Sequence, residues 1–129
     1  MSTGALLLAM ALFQLKHYLA DFHWQTAWMI ANKGRYGHPG GLVHAGMHGA
    51  FSLPVLIFAA PAMPEVVAIL VLAEIIAHYH IDWIKARGVD RQGLDQTDKH
   101  FWRFVGLDQA AHQMTYLAML AGIVALAGA

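Results

Sequence analysis

The chain has 129 residues, of which 58% are hydrophobic and only 12% are charged. Soluble domains carry about 25% charged residues, so the main solvent of this chain is expected to be lipid. Eight Lys and Arg balance eight Asp and Glu, which gives no basis for nucleic-acid binding, and the absence of Cys excludes disulfides, iron–sulfur clusters and thiolate metal sites.

Four apolar segments follow one another. The first runs from about Gly4 to Ala31 and reads as a retained helix. No Lys or Arg precedes it, and Lys16, His17 and Asp21 interrupt it, unlike a cleaved signal. The second runs from about Gly41 to Ala60, after the breaker Pro39-Gly40-Gly41. The third runs from about Pro64 to Ala86, and the fourth from about His100 to Ala127. Each reaches the roughly 20 residues that a bilayer crossing needs. Segment length and richness in Leu, Ala and Met indicate helices. The link Ala60-Pro61-Ala62-Met63-Pro64 is short enough to make a helical hairpin, whereas Gly88 to Lys99 is polar and is expected to lie in water. The predicted fold is all-α: one integral-membrane domain over residues 1–129, an antiparallel four-helix bundle.

Seven of the eight Lys and Arg flank the first and third connections; Lys16 is the exception. The positive-inside rule makes that side cytoplasmic and puts both termini outside, as in a multi-pass protein of a bacterial inner membrane. Trp24, Trp28, Trp83 and Trp102 fall near the same helix ends and fit an interfacial aromatic belt.

Every segment carries polar residues four apart. These are His17 and Asp21, with Gln25 beyond; His44 and His48; His78 and Asp82, with Glu74 before; and Asp108 and His112. Residues so spaced share one helix face. Counted from the cytoplasmic ends, all eight His and Asp fall at roughly 6–22 Å depth, given 1.5 Å rise per residue. An isolated Asp at mid-membrane costs roughly 2.5–3.5 kcal/mol, so such groups turn inward and pair. The eight are therefore candidate ligands of a divalent metal. Zinc is the expected ion, as one or two per chain, with iron or manganese as alternatives. The structural alternative is that His–Asp pairs only hydrogen-bond across helices.

Glu74 is a candidate bridging ligand or proton relay. Gln25 and Gln109 are candidate donors to the ligands. Lys85 is placed to hold an anionic head group or a substrate phosphate. His23, His38, His80 and His100 fall off the stripes or near connections and are expected not to be ligands. Gly46 and Gly49 are expected to allow close helix approach.

The runs His17-Tyr-Leu-Ala-Asp21-Phe-His-Trp-Gln25, His44-Ala-Gly-Met-His48, His78-Tyr-His-Ile-Asp82-Trp-Ile-Lys85 and Asp108-Gln109-Ala-Ala-His112 carry a resemblance. In order and spacing the chain resembles, from about Leu7 to Met119, a small bacterial membrane-protein family of unknown function (DUF3307). The resemblance implies a membrane fold and no activity. A looser similarity is to membrane-bound metal-dependent hydrolases.

The functional expectation is a metal-dependent hydrolase. Asp21, Asp82, Asp108 and Glu74 would serve as catalytic carboxylates and Lys85 as the anion-holding residue. The partners expected are membrane lipids and an amphiphilic small-molecule substrate. The alternatives are transport or sensing of a metal or proton, a redox dinuclear centre, and an accessory subunit whose polar cluster is structural.

Overall fold

The computed structural model describes residues 1–128. Its elements are α1 (Thr3–Leu19), continued by a π-helical turn (Ala20–Trp24), α2 (Ala27–Asn32), α3 (Pro39–Ala59), α4 (Pro64–Gln92) and α5 (Lys99–Ala127). Among the described residues, four helices are long and apolar enough to cross a membrane: Thr3–Trp24, Pro39–Ala59, Pro64–Gln92 and Lys99–Ala127. α3 packs on α4, α4 on α5, and α1 on both α3 and α5, so the four long helices close a ring around one interior.

The first segment is not one helix to Ala31. The turn widens at Ala20–Trp24, where the Gln25 N–H donates to the Ala20 carbonyl at 3.0 Å, and Gln25 then goes extended at ψ 133°. Thr26 starts a new helix, because its hydroxyl accepts from the Met29 N–H at 3.3 Å. A hydroxyl that competes for backbone donors favours a helix start over a helix interior, and that preference won here.

α4 runs past Ala86 to Gln92, so the first part of the stretch expected in water is exposed helix. Arg87, Arg91 and Gln92 are good helix formers, and Gly93 at φ 60° closes the helix in the left-handed conformation that glycine adopts freely. α5 begins where Asp98 accepts from the His100 N–H at 3.3 Å. In the connection between them, the side chain and backbone N–H of Thr97 both donate to Asp95, which lowers the Asp95 carboxyl below its ordinary pKa.

Two kinds of interior result. One end is apolar: Phe13 stacks on Tyr116 with ring centroids 4.9 Å apart, amid Leu56, Met119, Leu120 and Ile123. The other end holds the His and Asp residues. Large apolar side chains also face outward, among them Leu7, Ile69, Leu72, Leu107 and Met114. A water-facing surface rarely carries so much exposed apolar area.

Of the two glycines expected to permit close approach, Gly49 does so. A Cβ there would lie 2.5 Å from Ile75 Cγ1 on α4, whereas a Cβ on Gly46 would meet nothing within 4 Å. Gly49→Val is therefore expected to force α3 from α4 and to lower stability by about 1–3 kcal/mol. Gly46→Ala serves as the neutral control. Thermal unfolding in detergent, followed by circular dichroism, checks both.

Candidate metal centre

All eight predicted residues are buried and converge from four helices. The wide turn after α1 brings Asp21 against α3. There the His48 Nε2–H donates to Asp21 Oδ1 at 3.0 Å, and His44 Nε2 lies 3.1 Å from the same oxygen. His44 Nε2 is also 3.1 Å from Asp82 Oδ2 of α4, so one imidazole nitrogen stands between two carboxylates. His78 stacks on His48 at 3.7 Å between ring centroids and faces His112 of α5 at 4.2 Å.

Among the described residues, two sets of side chains have ligand atoms mutually within 4.8 Å: Asp21, His44, His48 and His78, and then His78, Asp82 and His112. These buried clusters could hold a metal ion. His78 belongs to both. The structure thus brings together six of the eight predicted ligands.

The other two are engaged elsewhere. His17 Nε2 is 3.1 Å from Asp21 Oδ2 and 3.2 Å from Gln109 Oε1, while its Nδ1 meets the Tyr116 hydroxyl at 2.9 Å. Asp108 accepts from Gln109 Nε2 at 3.1 Å through Oδ2, and its Oδ1 lies 3.9 Å from His112 Nδ1. Gln109 is thus a hydrogen-bonding partner of both, as expected of it. Gln25 Oε1 is buried without a partner.

Hydrogen bonding between the chain's own groups leaves this cluster unsatisfied. Both ring nitrogens of His44, both of His78, Nε2 of His112 and Oδ1 of Asp82 and Asp108 have no hydrogen-bond partner among the described protein atoms. His44 lies close to two carboxylates, yet its ring is not aimed to donate to either. Each buried polar atom left unpaired costs about 1–3 kcal/mol. A cation could serve as the missing partner for one nitrogen of each ring, since one ligand atom from each side chain of a set lies within 4.8 Å of the others. Donors about 2.0–2.1 Å from a tetrahedral ion stand roughly 3.3 Å from one another, and Asp21 Oδ1 lies 3.0 Å from His48 Nε2 and 3.1 Å from His44 Nε2.

One orientation is already set as metal ligation requires. The His112 Nδ1–H donates to the Asp108 backbone carbonyl at 2.9 Å, which leaves the lone pair on Nε2, facing the cluster.

A family described as "Protein of unknown function (DUF3307)" matches residues 8–128. The chain belongs to that family. No curated protein and no solved structure matches it. Membership in DUF3307 brings no activity with it, so the chemistry rests on the geometry of the cluster.

Two lysines of this DUF3307 chain join the site unforeseen. Lys16 is buried in an ion pair with Glu74 and also lies 3.4 Å from the His48 carbonyl and 3.4 Å from His48 Nδ1. Lys33, at the end of α2, reaches Asp82 Oδ2 at 3.4 Å. A signal for Lys16 was present. It shares a stripe with Phe13 and Ala20, three and four residues away, and Glu74 needed a cation that no other basic residue in that half could supply. Lys33 carried no such signal, since it comes inward only because the helix breaks at Gln25. His23 and His100 are exposed, and His38 and His80 are half-buried and belong to neither candidate set. Lys85 is half-buried and lies outside it.

Proposed function

We propose that this is a four-span integral membrane protein with a divalent-metal centre near the cytoplasmic leaflet, acting as a metal-dependent hydrolase on a lipid-like or phosphorylated substrate. The observation that carries it is the set of buried, unpartnered ring nitrogens around Asp21 and Asp82.

An antiparallel bundle is supported by the order of contacts between neighbouring helices. Lys16 meets His48 while Asp21 meets His44; Gly49 lies against Ile75 while Gly41 lies against Tyr79. Partners thus run in opposite directions along the chain. The orientation is supported by Lys16, the single basic residue away from the cytoplasmic flanks, which is buried against Glu74 rather than displayed at the other surface.

Charge favours one ion over two. Among the described residues, the buried Asp, Glu and Lys side chains are four carboxylates (Asp21, Glu74, Asp82, Asp108) and two lysines (Lys16, Lys33), which in their ionised forms leave two negative charges. One divalent cation neutralises them in a medium where unbalanced charge is costly. Zinc suits a set of imidazoles and carboxylates without thiolate; iron and manganese accept the same donors.

His44, His48, His78 and Asp21 would hold the ion, with Asp82 and His112 adjoining. A bound divalent ion supplies Lewis acidity toward a phosphoryl or acyl oxygen. The chain's own groups do the rest. Tyr116 and Gln109 fix the His17 ring against Asp21. Asp108 would act as the base toward an attacking water, a reading supported by its Oδ1, which has no hydrogen-bond partner and lies 3.9 Å from His112 Nδ1. Glu74 holds Lys16 through Oε1 and leaves Oε2 without a partner; the ion pair with the adjacent ammonium counts against Glu74 as catalytic base.

Transport is the competing reading. It needs a polar route through the other half of the bundle, and the plug of Phe13, Leu56, Tyr116, Leu120 and Ile123 counts against one.

The deciding experiment is metal analysis of the detergent-purified protein beside His48→Ala and Asp82→Ala. About one divalent ion per native chain is expected, and little in the variants. Free metal at about 100 times Kd stabilises by roughly 2.7 kcal/mol, so a chelator should lower the unfolding temperature of the native chain alone. A native chain without metal, and indifferent to chelation, would sink the metal centre. Metal flux in proteoliposomes without hydrolysis of lipid phosphates, esters or amides would replace the enzyme with a transporter.

A further inference from the structure

The route by which a substrate reaches the buried cluster is marked on the outside of the bundle. A cavity of about 210 Å³ lies between α4 and α5, lined by Ile81, Ile84, Phe104 and Leu107, with Lys85 and Asp108 as its only charged residues. Ile84 is 58% exposed and Leu107 69% exposed, so the cleft faces sideways, toward whatever surrounds the bundle. Asp108, by contrast, is 6% exposed and borders the imidazoles through His112. The cleft therefore leads from the bundle surface to the edge of the site.

Its width depends on one residue. A Cβ on Gly88 would stand 2.5 Å from Phe104 Cε1, so only glycine there lets the Phe104 ring lie back against α4. Lys85 also lines an adjoining cavity of about 330 Å³ with Lys33, toward the polar end of α4. Lys33 is tied to Asp82, whereas Lys85 has no ion-pair partner among the described residues. An unpaired ammonium above an apolar slot is complementary to a molecule with an anionic head and a hydrocarbon tail.

We propose that the α4–α5 cleft admits an anionic phospholipid laterally from the surrounding leaflet, its tail against Ile84, Phe104 and Leu107 and its phosphate on Lys85 beside Asp108. This deepens the metal-centre reading, since the head group would arrive next to that site. Asp108 repels an anion, and Lys85 offsets this at the mouth. A zwitterionic lipid supplies the same tail but less net charge for Lys85.

The test uses the full-length protein reconstituted into vesicles of equal phosphatidic acid and phosphatidylcholine, with retained lipid read by native mass spectrometry. One lysine near a lipid surface contributes about 1 kcal/mol, so about fivefold preference for phosphatidic acid is expected. Lys85→Met should bring the ratio to parity and Lys85→Arg should keep it. Gly88→Leu, which pushes Phe104 into the slot, should lower retention of both lipids. Equal retention in the native chain, a preference unchanged in Lys85→Met, or displacement of the lipid by inorganic phosphate alone would overturn the proposal. Metal content measured on the same samples separates the two readings. Metal present without lipid preference sinks the cleft, and preference without metal sinks the metal centre alone.

Discussion

Replacing Glu74 by Leu is expected to destabilise the bundle by roughly 3–5 kcal/mol, because it strands a buried ammonium. Lys16 is 6% exposed and its ion-pair partner is 1% exposed, so neither reaches water. The lysine's other contacts are the His48 carbonyl, the His48 ring and the face of Tyr116 at 4.5 Å, none of which carries a negative charge, and Asp21, the nearby carboxylate, makes no ion pair with it. The double variant Lys16→Met with Glu74→Leu should recover most of the loss, since two apolar side chains suit a site that borders Phe13 and Tyr116. Thermal unfolding of both singles and the double, in the same detergent, gives the coupling directly. Singles that cost no more than the double would show that the pair does not act as a unit.

His78→Ala is expected to abolish metal retention, whereas His17→Ala should weaken it only about 10–100-fold. The two histidines lie in the same layer of the bundle, but their nitrogens are used differently. His78 contributes to both ligand sets, and neither of its nitrogens has a partner within the protein. His17 is held by Tyr116, Gln109 and Asp21 and lies outside both candidate ligand sets, so its expected role is to orient Asp21. Metal content after purification separates the cases: His78→Ala comes out empty, and His17→Ala keeps its ion until a strong chelator competes. Equal loss in both variants would mean that His17 ligates directly and that the assignment of roles is wrong. Equal retention would mean that neither position matters to the ion.

Much of the architecture was legible in the sequence because lipid is a simple solvent. A helix in hydrocarbon must satisfy its backbone internally, so length and apolarity suffice to find the four long helices. The four-residue spacing of His17 and Asp21, His44 and His48, His78 and Asp82, and Asp108 and His112 then fixed which face of each turns inward. That reasoning finds stripes and depth. It does not say which nitrogen faces which oxygen, so it could not separate His17 and Asp108 from the six side chains that share the candidate ligand sets.

The amino-acid order by itself determined an all-helical chain, apolar enough to cross a membrane four times, with imidazoles and carboxylates on the inner faces. Only the tertiary structure decided that Gln25 ends the first long helix, that Lys33 comes inward to Asp82, and that Lys16 closes the polar layer with Glu74. The reason is range. Spacing along one helix reports a local period, whereas an ion pair between residues 58 positions apart depends on how far one helix has slid along another. That displacement is set by contacts such as Gly49 against Ile75, which no single segment contains.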